Sequence, residues 1–98
     1  MGRQIKYEFL RIIDRIEEEN ILLIIANIRE VSRDSKTGQV NVLSRHSHSA
    51  EYPLNNIPRH IQILDAMEPT QISPQEFEQL TKIYKNDIDS FLLYKPKF

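Results

Sequence analysis

His46 and His48 flank Ser47 in the run Ser44-Arg45-His46-Ser47-His48-Ser49. On an extended chain, residues two apart point to the same face. Both imidazoles could therefore reach one metal ion, and neutral histidine is a common ligand. His60 is the remaining histidine, and Glu51 or Asp65 would complete a ligand set. Two ligands make a minimal motif. The simpler reading is a polar strand end facing water, whose loss would leave the fold intact. The serines of this run, a histidine and Asp34 or Asp65 would also supply the groups of a hydrolytic triad. No strained nucleophile turn accompanies them. Glu17, Glu18 and Glu19 are consecutive and point in different directions, which suits a solvated turn better than the opposed carboxylates of glycoside chemistry.

The composition removes further chemistry. There is no cysteine, hence no thiol nucleophile, disulfide or cysteine-held metal. The two glycines, Gly2 and Gly38, cannot form a phosphate-cradling loop. A non-enzymatic protein that needs no cofactor is the expectation. Arg29, Arg33, Lys36, Arg45 and Arg59 lie on or beside a proposed hairpin, with Tyr52 close in sequence. Small barrels bind single-stranded nucleic acid through such basic grooves and aromatic platforms, so Arg29, Arg33, Arg45 and Arg59 define an alternative reading. The formal charge of −1 and the aromatic content of 8% favour the plainer view, in which charges protect a sheet edge.

The elements that must position these residues follow from pattern. Ile21 to Val31 reads as a strand apolar on both faces: Leu22, Ile24, Ala26 and Ile28 fall on one side, Ile21, Leu23 and Ile25 on the other. A polar turn over Ser32–Gly38 joins it to a strand over 39–50. Ile5, Phe9, Ile12, Ile13 and Ile16 recur at helical spacing. A helix there would set Arg3, Lys6 and Arg11 at the positive end of its dipole and Glu17–Glu19 at the negative end, with no capping residue before Ile5. A strand over 5–16 is preferred, and a helix over 4–19 on a shorter sheet is the alternative. A fourth strand is expected near 60–67. Ser73, Pro74 and Glu76 form a capping box, opening a helix from 74 to 93 with an apolar stripe at Phe77, Leu80, Ile83, Tyr84, Ile88, Phe91 and Leu92.

The run Ile12-Ile13-Asp14-Arg15-Ile16-Glu17-Glu18, closely followed by Ile21-Leu22-Leu23-Ile24, resembles the opening of a family of small uncharacterised bacterial domains. Tyr52-Pro53-Leu54-Asn55-Asn56-Ile57-Pro58 is similar to their Pro-Leu…Leu-Pro element. The likeness spans residues 10–66, with an insertion around 27–48, and leaves the C-terminal helix outside. In some bacteria such domains are attached to competence-type metallo-β-lactamase-like proteins. The resemblance implies a small β-barrel and no reaction.

These readings describe one α+β domain of 98 residues. It is β-rich over 5–67, as a small twisted antiparallel sheet or SH3-like barrel, with one C-terminal helix. One helix covers one sheet face, so the other needs barrel closure or another subunit. A homodimer is expected, with Phe91, Leu92 and Tyr94 near its interface, and a non-catalytic protein-interaction or assembly role follows. No run of 18 apolar residues occurs, and the N-terminal residues lack a signal-peptide core. A cytoplasmic protein without membrane contact is the expectation.

Overall fold

The protein is described over residues 3–97 by a computed structural model. Three strands of 14 residues each dominate it: β1 (Arg3–Ile16), β2 (Ile21–Asp34) and β3 (Val40–Pro53). A one-turn helix α1 (Arg59–Gln62), a short strand β4 (Met67–Ile72), α2 (Pro74–Asn86) and α3 (Ile88–Leu92) complete the chain. The sheet order is β3-β2-β1-β4, with every neighbouring pair antiparallel. Its ends, β3 and β4, do not pair, so the sheet alternative forms and the barrel does not.

Residues 3–16 are strand throughout, paired with β2 from Arg3↔Asp34 to Ile16↔Ile21. The turn between them is a single 3-10 turn at Glu17–Glu19, closed by Asn20 in the left-handed region at φ 56°. Asparagine tolerates that conformation better than most residues. At the other end Gly38 adopts φ 73°, and its N–H donates to the Asp34 carbonyl at 2.8 Å.

Burial of β2 alternates strictly from Ile21 to Ile28. Leu22, Ile24, Ala26 and Ile28 join Phe9 of β1 and Ile72 of β4 in the core. Ile61, Leu64, Leu80, Phe91 and Leu92 reach that same core from the helical segments. All three helices therefore serve one face of the sheet.

Strands β2 and β3 each run three residues past the expected ends, so Ser32–Asp34 belong to the sheet and not to the turn, and two further elements differ from the sequence expectation. Residues 60–67 do not form a strand. Pro58 opens α1, and Ile61 and Leu64, three apart, both point into the core as on a helical turn; β4 begins only at Met67. The segment 74–93 is not one helix. Asp87 leaves helical geometry at φ −149° and ψ 87°, and its side chain accepts from the Ser90 N–H at 3.1 Å, capping α3. The break turns Phe91 and Leu92 inward and leaves Ile88 exposed. The capping box forms at the expected place: Ser73 Oγ accepts from the Glu76 N–H at 3.0 Å, and Glu76 accepts from the Ser73 N–H at 3.1 Å.

Candidate interaction surface

The second sheet face has no element over it among the described residues. Strand alternation and register place Leu10, Ile12 and Ile16 of β1 beside Ile21, Leu23 and Ile25 of β2 on this face. The rows run Ile12–Ile25–Ser49, Leu10–Asn27–Ser47 and Ile16–Ile21–Pro53 across the three long strands. Ile12 is 42% exposed, and the other five apolar side chains are half-buried by one another. Glu68 of β4 flanks Leu10 and Ile12.

Charge divides this face lengthwise. Toward the β2–β3 turn lie Lys6, Arg29, Arg33 and Arg45, with Glu8 among them. Toward the β1–β2 turn lie Asp14 and Glu51, directly beside Leu23, followed by Glu17, Glu18 and Glu19. Arg45 stands opposite Arg29, a like-charge pair that would destabilise the ladder. Glu8 relieves it by accepting from Arg29 Nε at 2.6 Å. Arg45 has no ion-pair partner among the described residues.

The four arginines of the nucleic-acid reading do not form one set. Arg29, Arg33 and Arg45 share the open face, whereas Arg59 sits on α1 beyond the other face. Tyr52 also lies on the helix side, opposite Leu22. No aromatic side chain stands on the open face among the described residues, so the arginines have no stacking platform there.

His46 and His48 do share a face, as their spacing requires, but it is the helix-covered one. The ring of His48 lies 4.1 Å from that of Tyr84, and His46 lies 5.2 Å from the same ring. His48 Nε2 is 2.8 Å from the Tyr84 carbonyl, where it must act as donor. The histidines are half-buried packing residues rather than a solvated strand end. Glu51 is an odd number of residues away and points to the opposite face. No grouping of three or more metal-ligating side chains occurs among the described residues.

Phe91 and Leu92 are buried in the monomer at 0% and 2% exposure, so they offer no surface to a partner. Tyr94 is half-buried, and its hydroxyl donates to Glu76. Burial, together with the Glu76 carboxylate, pushes the Tyr94 phenol up to about 12. Burial alone would raise the Glu76 carboxyl, but hydrogen bonds from Tyr94, the Ser73 and Lys97 backbones and the Ser73 side chain outweigh it and hold the group below its ordinary range.

One functional-looking residue escaped the sequence reading. Arg11 is 2% exposed, and its guanidinium donates to the carbonyls of Asp65, Leu92 and Tyr94 at 3.1, 3.1 and 2.7 Å. Burial lowers its pKa, and Asp65 opposes that shift. It is a structural clamp on the end of α3, where exposed carbonyls favour a cation. Its only sequence signal is its place: alternation puts it on the same face as Phe9 and Ile13.

Comparisons with protein-family models, with curated proteins and with solved structures find no match to this chain. No helix among the described residues is long and apolar enough to cross a membrane.

Proposed function

We propose that the protein is a non-catalytic interaction or assembly module of the cytoplasm, and that the uncovered sheet face is its contact surface. One observation carries this reading: Leu10, Ile12, Ile16, Ile21, Leu23 and Ile25 form a contiguous apolar stripe on the face that no helix covers. Soluble chains rarely leave large apolar patches open unless something docks on them. The stripe has no deep cleft and no aromatic wall, so it suits a protein surface better than a small ligand. Kinship with the small bacterial domains that carry an Asp-Arg-Ile-Glu strand motif belongs to the same proposal. Here that motif, Asp14-Arg15-Ile16-Glu17, closes the acidic end of the face.

A photo-crosslinking residue in place of Ser49 tests the reading in cells that make the protein. The reading expects a discrete protein adduct from position 49, and none from Lys82 on the exposed side of α2. Equal labelling at both positions, or no adduct at position 49, would contradict it.

A second reading rests on Lys6, Arg33 and Arg45 sharing one end of the face: contact with a nucleic-acid backbone. A gel shift that weakens steeply with salt would support it, because phosphate contacts release counterions. Binding of no nucleic acid at low salt would remove it.

A further inference from the structure

We infer that the occupant of the open face is a second copy of this chain, stacked face to face with its strands reversed. The inference rests on the reading above that this face is a contact surface. What selects the occupant is the charge order along the strands. The basic group (Lys6, Arg29, Arg33, Arg45, with Glu8 paired to Arg29) lies at one end of the apolar stripe, and the acidic group flanks its other half, with Asp14 and Glu51 on either side of Leu23 and the Glu17–Glu19 turn beyond Ile16 and Ile21. A face with that order is complementary to itself only after its ends are exchanged.

Two sheets stacked by a two-fold axis have two simple choices. An axis along the strands lays basic end on basic end, and like charges facing one another across a contact are strongly disfavoured. An axis across the strands, in the plane between the sheets, reverses them and lays each basic end on the partner's acidic end. The register fixes where that axis passes. The row Glu8–Arg29–Arg45 and the row Asp14–Leu23–Glu51 are equidistant from Arg11–Ala26–His48. With the axis at that level, Arg45 faces the partner's Glu51, and Arg33 comes to the end of the sheet where the partner's Glu17–Glu19 turn lies. Leu10 faces the partner's Ile12, Asn27 the partner's Ile25 and Ile21 the partner's Val31, so the apolar stripes overlap over part of their length, while Glu8, already neutralised by Arg29, faces the partner's Asp14. Arg45, which has no ion-pair partner among the described residues, gains one.

The size of the face fits. Three strands of 14 residues, rising about 3.3 Å per residue and about 4.8 Å apart, give a flat area of roughly 600 Å². Side-chain relief raises this toward the ~800 Å² per partner of a standard stable interface. Sheets so stacked sit about 10 Å apart and within about 30° of alignment, a displacement that long side chains such as Arg45 and Glu51 can span. Two-fold dimers are also the commonest closed assembly. The dimer expected from the sequence is thus moved from the Phe91–Tyr94 segment, where the monomer buries Phe91 and Leu92 and half-buries Tyr94, to the opposite side of the sheet.

Sedimentation equilibrium of the full chain and three variants tests the inference. The wild type should be a dimer of the 11.6 kDa chain, weakening as salt screens the end charges. Arg45→Glu and Glu51→Arg should each raise the dissociation constant about tenfold, because each loses two symmetric pairs and gains repulsion. The double variant Arg45→Glu/Glu51→Arg should return to within about threefold of wild type. Both positions are exposed, so folding is not at risk. A monomeric wild type overturns the inference, as does a dimer indifferent to both single changes or a double variant no better than either single one. A monomer that still gives an adduct with another protein from position 49 would overturn only the choice of occupant. A monomer with no adduct would overturn the contact reading as well.

Discussion

Arg11 and Tyr94, 83 residues apart in sequence, are joined by a 2.7 Å hydrogen bond from the Arg11 guanidinium to the Tyr94 carbonyl. The same guanidinium holds the Leu92 carbonyl at 3.1 Å, so the end of α3 is tied to the centre of β1. That tie helps fix the helical layer to one side of the sheet and leaves the other side free.

Arg11→Met should destabilise the fold by about 1–3 kcal/mol, because it strands carbonyls that the guanidinium now satisfies. Arg11→Lys should recover only part, since a compact ammonium cannot reproduce the guanidinium fork that serves three carbonyls. Urea denaturation reads both. An unchanged midpoint for Arg11→Met would show that water replaces the guanidinium.

Ser73→Ala should cost about 1 kcal/mol, the usual value of an N-cap. The Glu76 N–H loses its acceptor, and Glu76 loses the geometry of the capping box. A denaturation midpoint equal to wild type would mean that the helix start is held by other contacts.

The Tyr94–Glu76 pair makes stability depend on pH at both extremes. Glu76 is depressed in the folded state, so its contribution is present above the ordinary carboxylate range and is lost as pH falls through its folded value. Tyr94 is raised from 10.0 to about 12, so its contribution is present below pH 10.0 and is lost as pH rises toward 12. Tyr94→Phe should flatten the alkaline limb of the melting-temperature profile and reduce the acid one. A profile identical to wild type would show that the pair does not stabilise the fold.

His48→Ala should lower stability by about 1–2 kcal/mol through lost ring packing and the lost bond to the Tyr84 carbonyl. His60→Ala, on the exposed side of α1, should have almost no effect and serves as the control. Thermal melts compare them. Equal melting temperatures for the two variants would return His48 to the status of a solvated residue.

The parts of the fold that were legible were those written in local pattern. The two-faced alternation of Ile21–Ile28 identified a central strand and correctly sorted its side chains. The capping box at Ser73 located a helix start to the residue. The helical spacing of Ile5, Phe9, Ile12 and Ile13 is misleading because β1 is apolar on both faces, and the charge order and the missing cap before Ile5 are what point to a strand. Ile57, Ile61 and Leu64 carried a helical period that a strand expectation overlooked. Asp87 and Ser90 carried a second cap inside an apparently continuous stripe. The open face is half legible: the alternation of Ile21, Leu23 and Ile25 shows a second apolar side that needs cover. That no helix supplies it depends on the Asp87 break and the Arg11 clamp, which are tertiary facts. The lengthwise division of charge appears only once the register aligns Arg45 with Arg29 and Glu51 with Leu23.

The isoleucines of β1, β2 and β4 provide the most direct test. Ile12, Ile16, Ile21 and Ile25 line the open face, while Ile24, Ile28 and Ile72 lie in the core. Methyl NMR spectra of isoleucine-labelled protein, recorded from millimolar to low micromolar concentration, report on both sets at once. Self-stacking through the open face predicts shifts that move with dilution at Ile12, Ile16, Ile21 and Ile25, and stationary signals from Ile24, Ile28 and Ile72. Spectra independent of concentration, or movement confined to exposed Ile63 and Ile88 on the helical side, would contradict it.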